Sequence, residues 1–294
     1  MHLVRFRTVA DATPRVGVRT DDGLAPLPVG SAAELWRLPI DELRSLTESV
    51  TPQPIPPDVA WLPPVDGRTE VWAAGVTYLR SRDARVQESR QQSVYEQVYD
   101  AGRPELFYKA AAWRVVTDGE PVAIRTDSTD DVPEPELAVV FGAHGGILGY
   151  LVSNDMSSRS IEGENPLYLP QAKIYAGSCA LSSGVRPAWE VDASDLAVTM
   201  VIRRGDVTAF EGATRTSHMR RTLPELAEYL FRAEHFPDGV VLSTGTGVVP
   251  QLGAGVAVGD EVTIEIEAVG RLRNEVVSRP EVFVGLADGV RPPS

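Results

Sequence analysis

The segment that most narrows the fold is VPEPELAVVFGAHGGILGYLVSNDMSS, residues 132–158. Two apolar runs, ELAVVF and ILGYLVS, flank a short AHGG turn, which reads as an antiparallel hairpin. Glu134 and Glu136 stand two apart, so on a strand both side chains share a face. If Gly142 pairs with Ile147 across the turn, Glu134 falls opposite Asp155, with Cβ atoms about 4.5–5.5 Å apart. Three carboxylates then converge on one side of the hairpin. Like charges this close destabilise the pair unless one is protonated or a cation lies between them. Oxygen ligands without Cys or His select a hard divalent ion, Mg²⁺ first, then Mn²⁺ or Ca²⁺. Such a site keeps about three positions for water or substrate. Spacing alone leaves two readings open, a metal site or ordinary solvent-facing strand acids. A bulge that shifted the register by one would turn Asp155 to the other face.

The rest of the chain limits the alternatives. Its 294 residues carry 28 Lys and Arg against 41 Asp and Glu, a formal charge of −13, with 43% hydrophobic residues. That composition is globular, and with no basic run it excludes nucleic acid as a partner. No apolar window approaches a membrane span. The opening MHLVRFRTVADATPR is too interrupted by Arg for a signal peptide, and the single Cys179 fits a reducing compartment, so a cytoplasmic location is expected. The four histidines show no zinc-type spacing.

Residues 1–66 read as a small β-rich N-terminal domain. LVRFRTV and RVGVRT alternate as strands, with a hairpin at Asp21–Gly23. Ser31 and Glu34 form a capping box, and a second helix starts near Asp41 after Pro39. Six prolines within residues 51–64 mark the boundary. Residues 67–294 then form one long domain. VWAAGVTY (71–78) reads as a strand, residues 79–99 as a polar surface helix, and LPELAEYLFRAEHF as a helix capped by Thr222 and Glu225. The sum is α+β, mainly β, and not a parallel βαβ array.

Several motifs carry less. GAHGGILG is a hairpin turn, since no helix follows it as a dinucleotide fingerprint requires. Thr244–Gly247 (TGTG) lacks the GxxxxGK[ST] pattern of a phosphate loop, although its hydroxyls and backbone N–H groups suit a carboxylate. Ser157, Ser158 and Ser182 lack a nearby His and are poor nucleophiles. Cys179 reads as a small buried residue.

PEPELAVV, GYLVSNDMSSR, Lys173 and STGTGVVP together resemble the fumarylacetoacetate hydrolase superfamily over residues 70–294. The resemblance implies a mixed β-roll core, Mg²⁺ or Mn²⁺ held by Glu134, Glu136 and Asp155, Lys173 in the active site, and assembly as a homodimer or homotetramer. Hydrolases of this superfamily typically carry a water-activating His three residues after the tyrosine of the first core strand. Here Ser81 follows Tyr78 at that distance, and no His occurs between His2 and His144. AGVTYLRSRDARVQES, RPELFYKA and SIEGENPLYLPQAKIYAGSCAL look instead like the 2-keto-3-deoxy-pentonate dehydratase branch, which forms 2-oxoglutarate semialdehyde (2,5-dioxopentanoate) and matches Glu105 to an active-site Glu.

The chemistry expected from that resemblance needs a base for the carbon-3 proton of a 2-oxo acid. Lys173 is the candidate, with Glu105 as alternative base or as the acid that expels the carbon-4 hydroxyl. Schiff-base chemistry on Lys173 competes with this reading. The substrate is an anion, so local groups must offset the acidic field. Arg85 is preferred, with Ser81, Thr77, Lys109 and Thr246 as further substrate-binding candidates, while Arg80 and Arg82 read as a solvated helix face. Acylpyruvate hydrolysis and oxaloacetate decarboxylation are the nearest rival activities. A non-catalytic β-protein binding Ca²⁺ through its acidic trio is the rival from another class.

Overall fold

The computed structural model describes residues 1–88 and 97–293. Eighteen strands run in chain order: β1 (His2–Thr8), β2 (Arg15–Thr20), β3 (Gly23–Pro26), β4 (Val59–Leu62), β5 (Glu70–Gly75), β6 (Glu105–Ala111), β7 (Val122–Ala123), β8 (Asp131–Val132), β9 (Pro135–Phe141), β10 (Ile147–Asp155), β11 (Ser157–Ser158), β12 (Cys179–Leu181), β13 (Gly184–Pro187), β14 (Ala197–Arg204), β15 (Val207–Arg215), β16 (Val240–Ser243), β17 (Asp260–Ile266) and β18 (Gly270–Val277). Among the described residues they are joined by the α-helices α1 (Ala32–Trp36), α2 (Ile40–Glu48), α3 (Leu79–Glu88), α4 (Arg159–Glu164), α5 (Leu169–Lys173) and α6 (Leu223–Phe231), with a further helical turn at 97–100.

An 11-stranded sheet follows the order β3-β2-β1-β13-β10-β9-β16-β5-β6, with β12 and β4 branching from β10 and β1. A 5-stranded sheet runs β15-β14-β17-β18-β7. Most pairs are antiparallel, but β16 pairs β5 and β18 pairs β7 in parallel, so the sheets are mixed as expected. Their apolar faces form one core, Val139, Phe141, Val152 and Leu242 packing with Met200, Ile264 and Leu272. The other face of β9 packs Ala138 and Val140 with Leu35, Trp36 and Leu43 of the N-terminal helices. Buried on both faces, β9 is therefore almost continuously apolar, and its one charged residue, Glu136, needs a reason.

Residues 1–66, expected as a small N-terminal domain, share both sheet and core with residues 67–294. Strand β1 pairs with β13, and Leu3, Val16 and Trp36 join the cluster of Val140 and Val241. The local signals of this stretch hold. Ser31 Oγ accepts from Glu34 N at 3.2 Å, and Thr20 pairs with Gly23 across the DDG turn.

Two elements end earlier than their sequence pattern suggests. Strand β5 stops at Gly75 because Val76 turns the chain with φ 53°, a left-handed value that a β-branched residue rarely adopts. Helix α6 stops at Phe231. Pro237 disfavours helix at Phe236, whose ring folds back on Phe231 at 5.2 Å and on Trp72 at 6.3 Å. The polar helix expected over 79–99 is seen as α3 and again as helix at 97–100, and residues 89–96 between them lie outside the described residues.

Candidate active site

The ligand hairpin reaches its register by two offsetting irregularities. Ile147 pairs with Phe141 rather than Gly142, and a bulge at Leu148 then restores the expected frame, with Ser153 opposite Glu136 and Asn154 opposite Pro135. Asp155 N donates to Glu134 O at 3.0 Å, so these two residues face each other at the open end of the hairpin. Glu134, Glu136 and Asp155 are all buried, and each offers an oxygen within 4.8 Å of the others.

Two buried ammonium groups are built into this trio. Lys173, the last residue of α5, donates to Glu134 Oε2 at 2.7 Å, Asp155 Oδ2 at 3.1 Å and Ser157 Oγ at 2.6 Å. Lys109, on β6, pairs with Asp155 Oδ1 and donates to Met156 O at 2.9 Å and Lys173 O at 2.5 Å. One lysine thus holds both a carboxylate and the backbone of the other lysine. Among the described residues, the three carboxylates are met by two ammonium groups. Burial first, then the charges of Asp155 and Glu134, pushes the Glu136 carboxyl up to about 8. Burial opposes ionisation of Asp155 too, but the charges of Lys109 and Lys173 outweigh it and hold that carboxyl below its ordinary value. A hard divalent cation fits this donor set: carboxylate oxygens only, three carboxylates to those two ammonium groups, and a buried carboxyl that otherwise takes up a proton.

Glycines set the walls. A Cβ on Gly75 would lie 2.1 Å from Glu105 Oε2, the pairing partner across β5–β6, so only glycine lets that carboxylate lie over the strand. Gly245 has φ +93°, and its N–H donates to Glu136 Oε2 at 2.8 Å. A Cβ there would meet Thr77 Oγ1 at 2.0 Å. The TGTG segment therefore serves the acidic trio directly, through its backbone.

The expected site residues separate into layers. Ser81, Glu105, Thr246, Lys173 and the acidic trio line one cavity. Thr77 and Lys109, expected against the substrate, stand one layer behind it. Thr77 is fully buried and donates to Thr244 O at 2.7 Å, tying β5 to the loop after β16. Lys109 spends its three protons on Asp155 and two backbone carbonyls. Arg85 falls within α3, and its side chain lies outside the described residues. Arg82 bonds its neighbour Asp83 at 2.8 Å, in keeping with a solvated face. Cys179 is buried in β12, and burial pushes its thiol up to about 12, far from a reactive thiolate.

Glu162 and Phe107 also line the cavity, and the sequence did not single them out. Glu162 lies on α4, a helix of 6 residues, too short to show periodicity. Phe107 was invisible as well, an ordinary aromatic of a strand whose ring lies 5.7 Å from Lys173 Nζ.

A buried all-carboxylate centre with an intruding lysine, at the end of a hairpin in mixed β-sheets, defines a metal-dependent enzyme class. The chain belongs to the fumarylacetoacetate hydrolase family, whose C-terminal domain model matches residues 70–277. It is 47% identical over 216 residues to a probable 2-keto-3-deoxyxylonate dehydratase of Haloferax volcanii, covering 73% of this chain and 74% of that one. To the 2-dehydro-3-deoxy-D-arabinonate dehydratase of Saccharolobus solfataricus it is 42% identical over 230 residues, 76% and 77% of the two chains. Among solved structures, 2-keto-3-deoxy-D-arabinonate dehydratase complexed with magnesium and 2,5-dioxopentanoate superposes with a TM-score of 0.82 at 35% identity, over 95% of this chain and 99% of that one.

Proposed function

We propose that this protein is a Mg²⁺-dependent lyase that dehydrates a 2-keto-3-deoxy-pentonate, the arabinonate- or xylonate-derived acid, to 2,5-dioxopentanoate. The observation that carries the reading is the buried trio of Glu134, Glu136 and Asp155 with Lys173 Nζ set between two of its members. The likeness to a dehydratase complexed with magnesium and that dioxo acid supports it.

Glu134, Glu136 and Asp155 would hold the cation, which when bound draws electron density from a 2-oxo group and acidifies the neighbouring carbon. Lys173 is the group placed to move a proton at carbon 3, because its amine is pinned at the trio by Ser157. Lys109 fixes Lys173 from behind through the backbone carbonyl. Glu105, laid over Gly75, serves the carbon-4 hydroxyl as it leaves. Ser81, Thr246 and Arg85 bind the substrate carboxylate and hydroxyls, while Thr77 holds the TGTG wall in place. Phe107 and Val76 add apolar surface to the cavity wall. The same reading places the protein in the cytoplasm as a homodimer or homotetramer, which sedimentation velocity measures.

A coupled assay tests the activity: purified protein, Mg²⁺, candidate 2-keto-3-deoxy acids, and a semialdehyde dehydrogenase that reports the aldehyde. Aldehyde from the pentonates is the expected result. No aldehyde, together with pyruvate released from an acylpyruvate, would replace the dehydratase by a hydrolase.

A further inference from the structure

Five carboxylates line the cavity, and the metal trio accounts for three of them. Of the other two, Glu105 faces Gly75, while Glu162 reaches in from α4. Glu162 is held in this cavity by the build of its helix. Ser158 Oγ caps the helix by accepting from Ile161 N at 3.4 Å. Arg159, three residues before Glu162 and so on the same side of the helix, anchors to Pro250 O at 2.9 Å and Gln251 O at 3.1 Å. Those anchors fix the roll of α4, which leaves Glu162 3% exposed while Glu164 faces solvent. The helix also packs against α5, which carries Lys173, and against α3.

We propose that Glu162 is a further catalytic residue, the base that takes the carbon-5 proton; the assignment rests on the dehydratase reading above. The reaction makes a further demand beyond the carbon-3 step given to Lys173 and the carbon-4 step given to Glu105. Loss of water across carbons 3 and 4 leaves HOOC–CO–CH=CH–CH₂OH, whose carbon 5 is still an alcohol. To reach the aldehyde, a carbon 5–hydrogen bond must break and its electron pair must form the 4,5 double bond. The 3,4 pair moves to carbon 3, which takes up a proton. The resulting enol, –CH=CHOH, loses its hydroxyl proton as carbon 4 gains one, giving –CH₂–CHO. Only water leaves overall, and no oxidant is needed. Carbon 5 lies three bonds from the keto carbon, whereas Lys173 is tied to Glu134 and Asp155 at the keto end. With Glu105 engaged at the carbon-4 hydroxyl, a third proton-transfer group serves carbon 5. Glu162, entering from a helix outside the hairpin and within the same cavity, is placed for that step.

The test is Glu162→Gln with Mg²⁺ and the 2-keto-3-deoxy-pentonate in heavy water, followed by proton NMR. Carbon-3 exchange should stay within about 3-fold of wild type, aldehyde formation should fall about 100-fold, and the unsaturated 5-hydroxy acid should accumulate. Glu162→Asp, which keeps a carboxylate, should recover part of the aldehyde rate. Supplied directly, the unsaturated acid should be converted by wild type and not by Glu162→Gln. Aldehyde at the wild-type rate overturns the assignment. So does joint loss of exchange, aldehyde and Mg²⁺ binding by calorimetry, which would put Glu162 at the metal end. A wild-type protein that makes no aldehyde sinks the dehydratase reading, and this assignment with it.

Discussion

Two buried acidic centres in this molecule have opposite charge arithmetic. Asp238 lies before β16 and receives Arg37 Nη2 at 2.7 Å, Arg68 Nη2 at 3.1 Å and Arg68 N at 3.0 Å. The Arg68 bonds, helped by Arg37 and opposed by burial, hold its carboxyl well below the usual range. One carboxylate with two guanidinium groups is a finished clamp, joining the end of α1 to the turn before β5. At the hairpin end, the described residues set three carboxylates against two ammonium groups, and Glu136 is pushed up instead of down. A folded protein gains nothing by leaving a buried centre short of positive charge, since a buried acid without compensation is destabilising. The deficit is therefore the mark of function, and the surplus at Asp238 the mark of architecture.

The comparison breaks most visibly at Glu134. Glu134→Gln should lower turnover about 10³-fold, because a lost ligand removes several kcal/mol of charge stabilisation in the transition state. Its metal-free melting temperature should hold, since Glu136, no longer raised by the Glu134 charge, can ionise in its place beside the two ammonium groups. A fall in melting temperature with turnover retained would make the trio structural.

The next effect is in pH. Glu136 has a folded pKa of about 8, raised from an ordinary 4.5. The unfolded chain ionises this group more readily, so the stability tied to its protonated form is complete below pH 4.5 and is lost as pH rises through about 8. Melting of the metal-free protein should fall across that window and level off above it. Glu136→Gln should flatten the slope, and Mg²⁺ affinity of the wild type should rise over the same range as the ion displaces the proton. A wild-type slope that survives Glu136→Gln would assign it to another group.

How much of this was readable beforehand follows physical range. The hairpin frame was legible because a period of two and a short turn are local properties, and they put Glu134 opposite Asp155. The bulge at Leu148 was not legible, yet it cancelled an error of one residue at the turn. The Ser31 and Thr222 caps were legible for the same local reason. Lys109 and Thr77 were placed against the substrate because a cation and a hydroxyl suit an anion. Only the packing of β6 behind Asp155, and of β5 against Thr244, puts them a layer back. Glu162 needed the path from β11 into α4, a tertiary fact with no periodic trace in six residues. Asp238 likewise carried no signal, because its partners lie 201 and 170 residues away.

The clamp supplies the smaller effects. Asp238→Asn removes the charge that two guanidinium groups share, and it should cost about 2 kcal/mol, with kcat within about 2-fold of wild type. Arg37→Ala tests the surplus itself. The Arg37 side chain is 48% exposed, so solvent screens its bond to Asp238, and Arg68 still holds both oxygens of that carboxylate after the change. The expected loss is about 0.5 kcal/mol in urea unfolding, with an unchanged denaturant slope and unchanged Mg²⁺ affinity. A centre with cations to spare tolerates losing one. If Arg37→Ala cost as much as Asp238→Asn, the surplus would be nominal, and charge count would no longer separate the clamp from the site.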